Sequence, residues 1–292
     1  MPVSIHGKLY DHDWLWFGQY SGCHANGPIY AFLEKHTPPS MNLKVYHADG
    51  IAAEPNYPIA IRLFSEVDPS DAVAALCTRN VSDSRSILLP IDDTMFVKGA
   101  CEVVSSECSP PPWEERKPIA YWRGTMSGGP YPTIRTNVVW HLYQSPRADV
   151  KFVRCADMGP SQMGALCYQE DNRFFDEKRS LADHVQHKYI LIIDGNCIAS
   201  AHQWVFASGS VPVMVTHPGN KYWLLKYLKP MVHYVPIQYD LSDLNEKLEW
   251  LVNSDAESKQ IAANAMELAR TVLSAEFQHG YLLREIDRVS SL

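Results

Sequence analysis

Residues 121–129, Tyr-Trp-Arg-Gly-Thr-Met-Ser-Gly-Gly, set Arg123 beside Gly124, Thr125 and Ser127 directly after an apolar run. Arg135 follows in the first turns of the next helical stretch. A diphosphate needs fixed cations and N–H donors, and a helix N-terminus adds a partial positive charge. Taken alone, the pattern fits an ordinary turn with two solvated arginines equally well. It is not a Walker loop, because GxxxxGK[ST] is absent from the sequence. A second group begins where Asp194-Gly195-Asn196 closes the run KYILIIDG; Ser200 and His202 lie near the next helix start, and Gly209-Ser210 lead into another strand. An ordinary β-α-β crossover would also look like this. Third, Asp49 ends the stretch NLKVYHADG. A carboxylate there suits a general base or a turn residue. The 12 histidines show neither HxH nor HExxH spacing, so no metal site is expected. The pairs Trp14/Trp16 and Tyr222/Trp223 suit either sugar stacking or core packing.

Elements of known type must hold these groups in place. GPIYAFLEKH (27–36) reads as a helix, NLKVYHADG (42–50) as a strand, and PIAIRLF (58–64) and SILLPIDD (86–93) as further strands, with DAVAALCTR (71–79) helical between them. Three consecutive prolines and a charge cluster mark 105–118 as a linker. Alternation then resumes: a strand at PIAYWRG, a helix over 133–144, strands over 149–157, 188–195 and 209–215, a helix over 199–208 and two closing helices. In the first of these, Leu241, Leu244, Leu248 and Leu251 form one stripe. This is an α/β chain with largely parallel sheets, and ligands of such sheets bind beyond the carboxyl ends of strands. Three ends qualify: Asp49-Gly50, Arg123-Gly124-Thr125 and Asp194-Gly195.

The bulk numbers are those of an ordinary globular protein. The 292 residues carry a net charge of −7, with 46% hydrophobic and 20% charged residues, which argues against nucleic acid as a general partner. No apolar run reaches membrane-spanning length, and the first residues lack a signal peptide's apolar core. Seven scattered cysteines without CxxC argue against a disulfide framework and for a reducing, cytoplasmic compartment.

The order KPIAYWRGT…R, HKYILIIDG…S, ASGSVPV, LKPMVHYVPIQYDLSDLNEKLEWL and IAANAMELA resembles family 90 glycosyltransferases, the Rumi-like protein O-glucosyltransferases and capsule-associated fungal xylosyltransferases. The resemblance covers nearly the whole chain and is strongest over 117–270. It implies a GT-B fold, two Rossmann-like domains with the active site in the cleft between them. The domains would be 1–112 for the acceptor and 113–274 for the nucleotide-sugar, with a C-terminal helix at 275–292 packing back on the first. It further implies a UDP-sugar donor (xylose or glucose), a glycan or protein hydroxyl as acceptor, inversion, and neither metal nor cofactor.

Under that resemblance Asp49 is the general base. Arg123, Gly124, Thr125, Arg135, Asp194, Gly195, Ser200, His202, Gly209 and Ser210 would line the nucleotide-sugar site. One position departs from the family pattern: the second phosphate-binding arginine falls on Ala201 or, with a one-residue shift, on His202. A small cytosolic or virus-encoded member would look like this. The alternative is a catalytically inactive relative that binds a nucleotide-sugar or glycan, and a metal-dependent phosphohydrolase stands third.

Overall fold

The computed structural model describes residues 3–4, 27–46, 50–52, 61–63, 72–79, 84–127, 132–153, 172–195 and 198–292. In chain order, the first part comprises β1 (Val3–Ser4), α1 (Pro28–His36), β2 (Leu43–Tyr46), β3 (Gly50–Ala52), β4 (Ile61–Leu63), β5 (Ala72–Ala75), β6 (Thr78–Arg79), β7 (Ser86–Leu88), α2 (Asp93–Lys98) and α3 (Ala100–Glu107). The second comprises β8 (Lys117–Gly124), α4 (Ile134–Leu142), β9 (Ala148–Val153), β10 (Phe175–Asp176), α5 (Leu181–His184), β11 (His187–Ile193), α6 (His202–Phe206), β12 (Val211–Val215), β13 (Asn220–Lys221), β14 (Val235–Ile237), α7 (Leu244–Asn253), α8 (Asp255–Thr271) and α9 (Ala275–Ser290).

One four-stranded sheet runs β1-β2-β5-β7, with β2, β5 and β7 parallel. Within the stretch 71–79, expected to be helical, the described residues form strands β5 and β6 instead. Ala72–Ala75 is buried at every position between β2 and β7. Small side chains let the neighbouring layers close on both faces, and that packing overrides the helix preference of alanine. A second four-stranded sheet runs β13-β6-β3-β4 and joins the two parts of the chain, since β13 follows β12 in sequence and pairs antiparallel with β6. The expected linker is largely structured. Helix α3 runs to Glu107, a 3₁₀ turn covers Trp113–Glu115 and β8 starts at Lys117.

The six-stranded sheet, in the order β10-β9-β8-β11-β12-β14, is parallel throughout. All seven residues of its central strand β11 are buried, which explains its near-continuous apolar sequence. One face carries Ala120, Trp122, Leu191 and Val213 against α4 and α7. The other carries Ile190, Ile192 and Met214 against α6 and α8, in a core continuous with Ile29, Leu33, Leu43 and Phe96 of the first part. Tyr222 and Trp223 belong to this core at 2% and 1% exposure, so they are packing residues, not sugar platforms. Cys77 is disulfide-bonded, against the expectation of reduced cysteines throughout, whereas Cys101 and Cys108 carry free thiols. Among the described residues no helix is long and apolar enough to cross a membrane.

Helix α9 starts from an N-cap at Ser274, whose hydroxyl accepts from Phe277 N, and lies against the first part of the chain. Tyr281 donates its hydroxyl to Leu88 O at 2.7 Å, and Gln278 Nε2 donates to Met95 O at 2.9 Å. Burial raises the Tyr281 phenol well above its usual range, so the hydroxyl stays protonated as a donor. Tyr281→Ala removes a fully packed ring and this hydrogen bond together. It is expected to destabilise the fold by on the order of 3–5 kcal/mol, read from urea denaturation; Tyr281→Phe should lose only about 1 kcal/mol.

Candidate active site

In the parallel sheet the chain leaves β8 towards β9 and leaves β11 towards β12, in opposite directions. The carboxyl ends of β8 and β11 are therefore the topological switch point, where such sheets bind ligands. Arg135 spans it from the first turn of α4, which is capped by Thr133. Its Nε and one terminal nitrogen donate to Ile193 O at 3.2 and 3.0 Å, at the end of β11. The other terminal nitrogen donates to Thr125 O, Thr125 Oγ1 and Ser127 Oγ at 3.2, 3.1 and 2.8 Å, just after β8. Each of these partners is an uncharged oxygen. Gly195 gives it room, because a Cβ there would stand 2.9 Å from the guanidinium and displace it.

Arg123 is positioned otherwise. Side chains alternate along β8, so Trp122 turns toward α4 while Tyr121 and Arg123 turn to the opposite face. There the guanidinium makes a two-pronged contact with Asp149 at 2.8 and 3.0 Å, reaches Asp176 at 2.9 Å, and lies 4.5 Å over the Tyr121 ring. Its side chain is 4% exposed. The hydrogen bonds of Arg179, and then those of Arg123, hold the Asp176 carboxyl well below the usual carboxylate range despite its burial. Arg123 was expected at the diphosphate; here its guanidinium is engaged with Asp149 and with Asp176, which Arg179 shares. Gly124 makes room for the Trp122 ring, which a Cβ would meet at 2.4 Å.

Asp194 lies directly after β11 and is 1% exposed. Its Oδ2 accepts from His217 N at 3.2 Å and from Asn220 Nδ2 at 2.8 Å. Asn220 in turn accepts from Arg79 Nε of β6. Burial raises the Asp194 carboxyl to about 7, against the hydrogen bonds from Asn220 and His217 and the charges of Arg135 and Arg79. His202 is wholly buried. Its Nδ1 lies 2.7 Å from Ala199 O, which places the proton on Nδ1 and leaves Nε2 4.0 Å from Asp194 Oδ1. Burial lowers this imidazole to about 4, so it is neutral at physiological pH. A neutral, inaccessible ring cannot stand in for a phosphate-binding arginine. Ser200 is exposed on the loop before α6.

Gly209 and Ser210 precede β12 and so lie at the amino end of the sheet, away from the cleft. Gly209 has φ +71°, and a Cβ there would stand 2.9 Å from the Arg116 guanidinium. Arg116 donates to Ser208 O and Ser210 Oγ at 3.1 and 2.9 Å, and Ser210 donates to His187 O at 2.7 Å. These residues seat a buried structural arginine. Asp49, the expected base, lies outside the described residues. Two aspartates of the first part have structural duties: Asp92 caps α2 and Asp93 accepts from Ile29 N at 2.9 Å.

The structure thus gathers Thr125, Ser127, Arg135, Asp194 and Gly195 at one place. It adds His217, Asn220 and Arg79, which no sequence motif singled out. The turn His-Pro-Gly-Asn after β12 was the available signal, since it too is a strand's carboxyl end. Among the described residues no three His, Cys, Asp or Glu side chains converge as a metal site would require.

The profile of glycosyl transferase family 90 matches residues 97–292, which include every element of this cleft except β6. The chain belongs to glycosyl transferase family 90. It is 26% identical over 215 residues to rat protein O-glucosyltransferase 3, covering 70% of this chain and 40% of the relative. It is 28% identical over 191 residues to the uncharacterized protein 027R of frog virus 3, covering 58% and 19%. The chain thus spans less than half the length of these relatives. A glycosyltransferase structure from Rickettsia africae aligns with a TM-score of 0.51 at 10% identity, over 89% of this chain and 74% of that one, and shares the fold. The fold of this family 90 chain is α/β of the GT-B type, with parallel sheets in both parts.

Two outcomes follow from the family 90 cleft. Arg123→Ala leaves Asp149 without its cation and Asp176 with Arg179 alone, and is expected to destabilise the protein by roughly 1–3 kcal/mol in chemical denaturation. Arg135→Ala, which loses hydrogen bonds to the Ile193 and Thr125 carbonyls and to two hydroxyls, should cost about 1 kcal/mol.

The second concerns pH. Asp194 retains a proton in the folded state from 3.8 up to about 7, so its contribution is full at low pH and is lost as pH rises towards 7. His202 refuses a proton in the folded state between about 4 and 6.5, so its contribution grows as pH rises through that range. The two slopes oppose each other. Asp194→Asn should leave a melting temperature that climbs from pH 4 to 6.5, and His202→Gln one that falls from pH 4 to 7. Parallel pH profiles for both variants and the parent would contradict these assignments.

Proposed function

We propose that this chain is a glycosyltransferase that moves a glucose or xylose from a UDP-sugar to a hydroxyl of a glycan or protein, with inversion and without a metal ion. The observation that carries the reading is Arg135. It is a cation at the switch point, held by neutral oxygens, with the Thr125 and Ser127 hydroxyls and the Gly195 backbone around it. A diphosphate placed there would meet a guanidinium held in a fixed position at the strand ends, with two hydroxyl donors beside it. Glucose is supported by the names of the relatives, among them the O-glucosyltransferase LpsA of Dichelobacter nodosus.

In the reaction, the acceptor oxygen forms a bond to the anomeric carbon as the bond from that carbon to UDP breaks. The acceptor's proton passes to a carboxylate, for which Asp49 is the candidate, and the electron pair leaves with UDP. Arg135 would stabilise the charge gathering on the departing diphosphate, the role a divalent ion takes in other transferases. Groups of this kind are worth roughly 10²–10³-fold in turnover. Asp194 is too deeply buried to take the acceptor's proton, and its role is to hold the His217–Asn220 turn at the cleft.

A second reading, a nucleotide-sugar-binding relative without turnover, is favoured by one observation. At the position where the resemblance expects a second arginine the chain carries Ala201, and the adjacent His202 faces the core.

The test is UDP release from UDP-glucose and UDP-xylose with a panel of sugar and peptide acceptors, with and without EDTA, beside calorimetry with UDP. Transfer that persists in EDTA is expected. Asp49→Asn should lower it by about 10²–10⁴-fold with UDP affinity unchanged, whereas Arg135→Ala and Gly195→Ala should weaken UDP binding at least several-fold. UDP binding with no turnover on any acceptor would favour the second reading, and no UDP binding would overturn both.

A further inference from the structure

Among the described residues the exposed large apolar side chains are scattered aliphatics and two aromatics, Trp140 at 46% and Tyr143 at 41%. Both aromatics stand at the end of α4. Trp140 walls a groove of about 390 Å³, whose other lining residues are Asn137 and His141 of α4 and Tyr239, Asp240 and Leu241 of the loop after β14. Asn137, Trp140 and His141 are spaced i, i+3, i+4 and share one helix face. The opposite wall is held in a fixed shape. Leu241 has φ 62°, a left-handed conformation that costs a bulky residue about 1–3 kcal/mol. Burial of its side chain and a hydrogen bond from its N–H to Gln238 O at 2.9 Å hold it there. Strain of this kind gathers at ligand clamps.

The chemistry of the walls selects a ligand. A flat indole face suits the C–H face of a sugar ring, and an amide and a carboxylate beside it suit the hydroxyl rim. Asp240 accepts from Ser242 N and Oγ through Oδ1, which leaves Oδ2 for a hydroxyl donor. Among the described residues no lysine or arginine lines the groove, and Asp240 would repel a phosphate, so a nucleotide is disfavoured. We propose that this groove is a second carbohydrate site, taking a neutral sugar of an oligosaccharide with its ring face on Trp140 and its hydroxyls on Asn137 and Asp240, beside His141, whose Nε2 lies 3.0 Å from Asn245 Nδ2.

Its place beside the cleft gives it a use. Trp140 lies five residues along α4 from Arg135, about 8 Å at 1.5 Å per residue. The Tyr239 ring meets His217, on the turn held by Asp194, at a centroid distance of 4.9 Å. An oligosaccharide on Trp140 would be kept near the diphosphate arginine without occupying its site. This inference draws on the proposed transferase activity only for that use; binding itself is read without donor or turnover.

The test is saturation-transfer NMR of neutral trisaccharides (xylotriose, cellotriose, maltotriose and mannotriose) at millimolar concentration with the full chain. At least one should receive saturation from the protein, with the signal lost in Trp140→Ala and reduced several-fold in Asp240→Asn. The signal should persist in Arg135→Ala and in the presence of UDP. Melting curves confirm that each variant is folded. No transfer to any trisaccharide, an undiminished signal in folded Trp140→Ala, or displacement by UDP would each overturn the proposal. The outcome is independent of catalysis: a protein without turnover would still bind the sugar, and an active one with no second site would not.

Discussion

A carboxylate with almost no water around it must be satisfied by protein, and the cleft of this family 90 chain is arranged around that requirement. Asp194 terminates the fully buried strand β11 and has 1% of its surface exposed. It recruits the backbone of His217 and the amide of Asn220, and through Asn220 the guanidinium of Arg79. Three separate pieces of chain, the end of β11, the turn after β12 and strand β6, are thereby fixed relative to one another. The pairing of β13 with β6 adds a backbone ladder to the same junction. Loss of any partner would leave a buried acceptor unmet, which is more costly than the net worth of one hydrogen bond.

The two arginines near this junction show how environment divides similar residues. Arg123 and Arg135 lie within a dozen residues of each other, and both were candidates for the diphosphate. The pleat of β8 sends Arg123 to the face that carries Asp149 and Asp176, where it becomes part of an ion-pair network. Arg135 projects from α4 across the strand ends and meets only carbonyl and hydroxyl oxygens among its named partners. A guanidinium in the first setting is part of an ion-pair network, and one in the second stands at the strand ends where ligands of parallel sheets bind. A similar division separates Gly195 from Gly209: one lets a cleft arginine approach, and the other seats Arg116 at the far end of the sheet.

The sequence alone determined the α/β class, the parallel character of the long apolar runs and the strand ends to inspect. Burial on both faces leaves a continuous apolar record, as in β11, and a carboxyl-end site leaves glycine and hydroxyl residues after the strand. The leucine stripe of α7 was legible for the same reason, although Leu241 proved to precede the helix in a left-handed turn while sharing its core. The helical expectation for 71–79 follows from the preference of an alanine-rich run, and only the flanking strands β2 and β7 reveal that Ala72–Ala75 is interior strand. Which arginine is neutralised, which histidine is buried and which glycine faces the cleft depended on contacts between residues tens to more than a hundred positions apart, such as Arg123 with Asp176 and Arg79 with Asn220. Local periodicity carries no information about such partners. They are set when the sheet closes and the side chains on each of its faces meet.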